Sequence, residues 1–394
     1  MARNEWLLRF GIGMATVALA LPAAAQQMIK IGQTMPYSGP ASSYSAIGKA
    51  ELAYFAKLNG EGGINGRKVE LLSLDDGYSP PKAIEQTRRL VESDKVLAIF
   101  GTFGTPTNAV TKKYLNGKKV PQLFVTGGAT QWNDPIAFPW TFGWQPNYNL
   151  EMRVYARYVL KERPNAKIGI LYQNDDVGKD NLRGLREALG AAADRMIVKQ
   201  VSYETTDATV SSQIIELKAS GADVFFNTGA GKFAAQAIRM SRELGWQPMQ
   251  FLSNYSSSVG AVLMPAGADN AVGIISSQFQ KDPTDARWVD DPALRDWSAW
   301  MDKYYPGGDK SDIFNVYGYL SAQTLVEVLK RCGDKLTPEN IRDQAASLHG
   351  VALPMLLPGI MLNSSPRNHV PINQLYLMRF DGKSWQTFGS AEEG

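Results

Sequence analysis

Two short segments rich in glycine and threonine hold the residues best suited to recognising an anion. They are Gly101-Thr102-Phe103-Gly104-Thr105-Pro106-Thr107 and Thr126-Gly127-Gly128-Ala129-Thr130. Backbone N–H groups in such loops, joined by hydroxyls, form a neutral cradle that suits a carboxylate. Either loop alone would also serve as a helix cap, and it is the pair at neighbouring strand ends that points to binding. Other chemistry is thinly supported. The two histidines, His349 and His369, lie in loop-like surroundings late in the chain and read as surface or structural. Asp75-Asp76 and Asp175-Asp176 are paired acids that could ligate a metal, but turns and helix caps use the same residues. The chain has no P-loop, no G-x-S-x-G elbow, no His-rich metal motif and no G-x-G-x-x-G after its first strand. No catalytic residue, metal or cofactor is therefore expected.

The elements that must position these loops alternate regularly. Strands are expected at Met28 to Pro36, Val69 to Leu74, Val96 to Phe100 and Val120 to Val125. Amphipathic helices stand between them, the first running from Ile47 to Leu58 and the second starting after Pro80-Pro81. The pattern then restarts, with helices at Tyr148 to Leu160, Val177 to Leu189, Thr209 to Ala219 and Phe233 to Leu244. These frame strands at Lys167 to Tyr172, Met196 to Val201, Val224 to Asn227 and Phe251 to Ser253. Alternation of this kind means parallel sheets covered on both faces. Two successive halves give an α/β fold of two doubly wound lobes joined by a hinge. The first lobe is expected to take residues 26–144 and about 276–355, the second 145–275 and about 356–394. Trp140 to Pro146 and Ala271 to Gln278 are the expected crossings. Three more helices, Ala293 to Tyr305, Ile313 to Arg331 and Pro338 to Ser347, precede a strand pair at Gln374 to Phe388 turning at Asp381-Gly382.

The N-terminus reads as a secretory signal. Arg3 and Arg9 precede an apolar run from Phe10 to Leu21, too short to span a bilayer, and Ala23-Ala24-Ala25 offers a cleavage site before Gln26. Removing residues 1–25 takes away two Arg and one Glu, so the formal charge falls from +3 to +2. Charge so small and so evenly mixed excludes nucleic acid as a partner. The one dense basic group, Lys112, Lys113, Lys118 and Lys119, reads as a solvated helix end and loop. Cys332 is the only cysteine, so no intrachain disulfide can form, and stability must come from large cores. The expected location is a bacterial periplasm.

Several motifs together carry a likeness. The opening strand with its Ser38-Gly39-Pro40 loop, the Gly62-Gly63-Ile64-Asn65-Gly66 turn, Asp75-Asp76 and the Thr126 to Thr130 loop occur in that order. This resembles the branched-chain amino acid binding family, the type I periplasmic binding proteins of ABC importers. The resemblance implies two lobes joined by three crossings that close on a ligand, delivery to permease subunits, and a monomer. It implies that the Thr105 hydroxyl, the Gly128 N–H, Ala129 and Thr130 hold the ligand's carboxylate, and that Tyr44 forms an aromatic wall. Trp144, Tyr148 and Gly229, the last in the loop after Val224 to Asn227, would face the ligand from the second lobe.

One departure is informative. Amino-acid-binding members of the family place an acid after the strand that is here Phe251 to Ser253, whereas this chain reads Asn254-Tyr255-Ser256. A buried ammonium without a counter-charge is costly. The expected ligand is therefore a small organic carboxylate without an α-ammonium, aromatic or aliphatic, with Tyr255 against its body. Alternatives are a branched-chain or other amino acid ligand, a sensory module and, least supported, a secreted enzyme.

Overall fold

Residues 28–393 are described by the structure, a computed structural model. The signal sequence expected at residues 1–25 lies outside them. The first sheet contains β1 (Ile29–Met35), β2 (Val69–Asp75), β3 (Ala98–Phe100), β4 (Gln122–Val125) and β5 (Thr141–Gly143). Their order is β2-β1-β3-β4-β5, all parallel. Helices α1 (Ser45–Gly60), α2 (Pro80–Arg88) and α3 (Thr105–Lys118) make the crossovers. Both faces are covered, so β3 and β4 are buried at every residue, which is why they read as unbroken apolar runs.

The second sheet holds β6 (Ile168–Gln173), β7 (Ile197–Tyr203), β8 (Val224–Thr228), β9 (Met249–Leu252), β10 (Ile275–Gln278), β11 (Gln374–Phe380) and β12 (Trp385–Glu393). Their order is β12-β11-β10-β9-β8-β6-β7, with β11 and β12 added antiparallel at one edge. Around it lie α4 (Tyr148–Glu162), α5 (Asp176–Leu189), the short α6 (Ala193–Met196), α7 (Ser211–Ala219), α8 (Lys232–Glu243) and the short α9 (Met264–Ala266). Asn147 and Asp175 cap α4 and α5 through side-chain acceptors, and so aim the first turns of both helices at the cleft.

Between β10 and β11 the chain returns to the first lobe as α10 (Pro292–Tyr304), α11 (Ile313–Arg331) and α12 (Pro338–Ala345). Helix α11 packs along α1, close enough that a Cβ on Gly318 would fall 2.4 Å from the Ile47 carbonyl oxygen.

The crossings differ from the expected residue numbers. Strand β10 pairs with β9 and β11, so the second crossing follows Gln278 instead of preceding about residue 276. The segment before β11 also stays with the first lobe. His369 stacks on Phe142 at 3.9 Å, and its Nδ1 meets the Thr141 carbonyl at 2.9 Å. Irregular loops carry no periodicity, and their lobe is decided only by what they pack against. Two of the crossings are held together by aromatic packing: Trp144 of the first meets Phe279 of the second at 5.6 Å and Tyr317 of α11 at 4.5 Å.

Candidate functional site

A cavity lies between the two sheets, and loops following β1 to β4 and β6 to β9 all reach it. This is the carboxyl-end location at which open α/β sheets bind ligands. About 880 Å³ of space free of protein atoms lies there, part of it open to solvent. From the first lobe come Tyr44 after β1, Tyr78 after β2, Phe103 to Thr105 after β3, and Thr126 and Gly127 after β4. The second lobe supplies Tyr148, Gln173, Val177, Thr205, Ala230, Phe233, Asn254 and Tyr255. The crossings add Gln145, Gln278, Phe279 and Gln280, and α11 adds Ile313, Phe314 and Tyr317. None of the lining residues is Asp, Glu, Lys, Arg or His.

The polar centre of the first-lobe wall is Thr105. It opens α3, so its N–H is one of the helix's unpaired N-terminal donors. Its hydroxyl is buried beside the Tyr148 hydroxyl, and no group meets it with hydrogen-bond geometry. Gly104 before it has φ +95°, and a Cβ there would fall 2.5 Å from the Tyr78 ring, so only glycine permits the approach. Around this point the walls are rings. Tyr44 stacks on Phe103 at 4.5 Å and leans on Phe314 at 4.8 Å, while Tyr148 meets Tyr255 edge-on at 5.4 Å. Burial pushes the Tyr44 hydroxyl up to about 12, so it remains a neutral phenol.

The lobes are shut on each other. The Tyr44 hydroxyl accepts the Gly231 N–H of the second lobe at 3.1 Å, and Gln173 donates to the Tyr78 hydroxyl at 3.3 Å. At the helix ends, Ser258 donates to Asp312 at 2.8 Å.

Of the residues expected to bind, Tyr44, Thr105, Tyr148 and Tyr255 line this cavity, and five do not. Thr130 gives its N–H and hydroxyl to Asp180 of α5, at 2.7 and 2.9 Å, so a protein carboxylate occupies the donors assigned to the ligand. Gly128 lies under the Tyr148 ring, its carbonyl accepting the Tyr148 N–H at 2.7 Å. Ala129 packs with Val125, Trp132, Tyr148 and Val177. Trp144 is wholly buried in the hinge, and its indole donates to Thr324. Gly229 is held by Ser256 and Asn227, leaving the next residue, Ala230, at the cavity.

The sequence reading missed Tyr78, Phe103, Gln280 and Phe314. Tyr78 sits at φ +60° in the Asp-Asp-Gly turn, which a search for caps passes over. Phe314 belongs to a helix that returns from far along the chain and gives no local signal.

The acid pairs behave as turns and caps. Asp75 accepts from Ser38 and Lys82, Asp76 from the Tyr78 N–H, and Asp175 caps α5. No group of three or more His, Cys, Asp or Glu able to hold a metal occurs among the described residues. His349 is exposed. Lys112 is not solvated as expected: it is buried, with Nζ 4.0 Å over the Phe138 ring.

The Asn254–Tyr255 loop is seated from behind. Its Asn254 N–H donates at 2.7 Å to Glu151 of α4, which also takes the Tyr155 and Ser277 hydroxyls. Burial pushes this carboxyl up to about 7, and it does not line the cavity. Tyr255 donates to the Thr228 carbonyl at 2.8 Å, which fixes its ring across the cleft.

Two lobes, three crossings and a cleft fed by the carboxyl ends of both sheets agree with a comparison across known families. Residues 28–384 match the family described as periplasmic binding protein. The chain belongs to that family. A curated relative, an amino acid binding protein from Pseudomonas aeruginosa, is 24% identical over 331 residues, 82% of each chain. Two solved structures share the fold. A branched-chain amino acid ABC transporter protein from Thermus thermophilus with bound valine superposes with a TM-score of 0.85 at 15% identity, covering 94% of this chain and 97% of that one. A solute-binding protein of an ABC transporter from R. palustris in complex with benzoate has a TM-score of 0.77 at 20% identity, covering 93% and 98%. The expected likeness to the branched-chain amino acid binding proteins therefore holds. The family is one of solute-binding proteins and not of enzymes. Among the described residues no helix of the binding protein is long and apolar enough to cross a membrane.

Proposed function

We propose that this binding protein captures a small aromatic or aliphatic carboxylate without an α-ammonium, by closure of its lobes, and passes it in the periplasm to the permease of an ABC importer. The observation that carries the reading is Thr105. A buried hydroxyl without a partner stands at the N-terminus of α3, in a cavity with no charged side chain. An anion is welcome at a helix N-terminus, whereas an ammonium in such a cavity would lack any counter-charge. The rings of Tyr44, Phe103, Phe314, Tyr148 and Tyr255 supply the apolar body of the site, and the benzoate-bound neighbour has the same fold.

A second reading, an amino acid ligand, is favoured by the named relative and by the buried Glu151 behind the Asn254–Tyr255 loop, one oxygen of which has no partner.

The test is a thermal-shift and titration panel on residues 26–394. It pairs benzoate, phenylacetate and 4-methylpentanoate with phenylalanine, leucine and valine. Ligand at 100 times its dissociation constant adds about 2.7 kcal/mol to stability. The expected result is stabilisation by the acids and none by the amino acids. Tighter binding of leucine or valine would overturn the reading in favour of the second.

A further inference from the structure

Two residues that line the cavity carry a buried side-chain atom with no hydrogen-bond partner. One is Thr105, and the other is Gln280, whose Oε1 is unpartnered in a residue only 3% exposed. The remaining lining glutamines differ. Gln145 Oε1 accepts from the Tyr317 hydroxyl at 2.8 Å, Gln173 Oε1 from Tyr203 at 3.1 Å, and Gln278 Oε1 from the Phe279 N–H at 2.9 Å.

The polarity of the Gln280 amide is fixed by its surroundings. Its Nε2 faces the Ile313 carbonyl at 3.4 Å, and turning the amide over would set two acceptor oxygens against each other. Its backbone is anchored as well, through a bridge to Leu356 and through the neighbouring bonds Lys281 N to Met355 O at 2.8 Å and Leu357 N to Phe279 O at 3.0 Å. The side chain is therefore held in place, and its acceptor is left over.

The same corner has an excess of acceptors. Asp282 Oδ2 and Asn315 Oδ1 are also buried without partners, and Asp282 and Asp312 lie close enough to repel each other. Lys281, the nearest cation in sequence, is engaged with Asp291 at 2.7 Å. A buried acceptor without a donor is costly. A ligand that brings a donor relieves this cost, and one that lacks it does not.

We infer that Gln280 is a specificity-determining residue and that the ligand bears a neutral hydrogen-bond donor, a hydroxyl or N–H, in addition to its carboxylate. This assignment rests on the carboxylate reading above. The ligand class becomes hydroxy- or amino-substituted aromatic acids, or hydroxy aliphatic acids, over their unsubstituted parents. Discrimination follows from the asymmetry of polar burial: a site built around an acceptor rejects the analogue that leaves it unpaired.

The test is isothermal titration of the wild-type protein and Gln280→Met with matched pairs. These are benzoate against 3-hydroxy-, 4-hydroxy- and 4-aminobenzoate, and 4-methylpentanoate against its 2-hydroxy derivative. The expected result is at least one substituted acid binding the wild type tenfold or more tighter than its parent, with the gap between them closing in Gln280→Met. Parents binding as tightly as every substituted acid in the wild type would overturn the assignment and leave the carboxylate reading standing, as would a gap that survives in Gln280→Met. Binding by none of the acids would overturn the carboxylate reading and this assignment with it.

Discussion

Asp180 of the second lobe sits in the donors of Thr130 of the first, taking its N–H at 2.7 Å and its hydroxyl at 2.9 Å. Arg183, one turn along the same helix, bonds both the Thr130 hydroxyl, at 2.6 Å, and the Asp180 carboxylate. Burial raises the Asp180 carboxyl against the pull of the Thr130 bonds and the Arg183 charge. The pair is thus a latch between lobes, built from a loop that would otherwise be an anion cradle.

Asp180→Ala and Thr130→Val should each weaken ligand binding about three- to tenfold, because each removes bonds that join the two lobes in this closed arrangement. The double variant should lose less than the sum of the two, as residues in one network do. A titration series of the four proteins checks this. Tighter binding by Asp180→Ala would mean that the ligand itself seeks Thr130.

Thr105→Val separates binding from stability. No protein group meets the hydroxyl with hydrogen-bond geometry, although the Tyr148 hydroxyl lies beside it, so replacing it with a methyl of similar shape should leave the melting temperature nearly unchanged. Affinity for a carboxylate should fall at least tenfold, since hydrogen bonds to charged groups contribute about 1.5–3 kcal/mol. Melting and titration of the same preparation test both halves, and equal losses in each would refute the assignment of Thr105 to the ligand.

Gly128→Ala is a packing test. The added Cβ would lie 2.8 Å from two carbons of the Tyr148 ring and 2.9 Å from the Pro146 carbonyl oxygen. Overpacking of this kind costs about 1–3 kcal/mol. The variant should melt several degrees lower, and because Tyr148 must move, it should also bind more weakly. Thermal denaturation with and without ligand distinguishes the two effects.

Stability should decline as pH rises through neutrality. Burial pushes the Glu51 carboxyl up to about 8, against hydrogen bonds from Ser321 and Gln33, and Glu151 up to about 7. The ordinary value is 4.5, so above it the unfolded chain has released protons that the folded chain still holds. The folded state then binds more protons than the unfolded, and its advantage shrinks until the folded pKa is passed. The melting temperature should fall between about pH 5 and about pH 8, and Glu51→Gln should flatten the slope. A melting temperature that rises over this range would contradict the protonated burial of these two groups.

Much of the fold was legible because strand and helix periods are local. The helix expected at Ile313 to Arg331 is α11 to the residue, and the tail turns at Asp381-Gly382 as its dipeptide requires. The loops at strand ends were legible too, since parallel sheets place ligands there and the order of short motifs marked the family. Tyr44, Thr105 and Tyr148 were assigned through the family resemblance and Tyr255 through the departure from it, and all four line the cavity.

Which member of a loop faces the cleft was not legible. Thr130 and Thr105 are the same residue type in similar glycine-rich loops, yet one is taken by Asp180 and the other is left free, a difference set by how the second lobe closes. Trp144 reads as a ligand contact until Tyr317 and Phe279 enclose it in the hinge. Phe314 and Gln280 reach the cavity only because α11 and the second crossing return to the first lobe. The sequence by itself determined most of the elements, the two lobes and the uncharged loop at Asn254 to Ser256, but not β5 and β10, which lie in segments that read as crossings. The tertiary structure decided which polar atoms remain without partners, because pairing between groups far apart in the chain exists only once the lobes are packed.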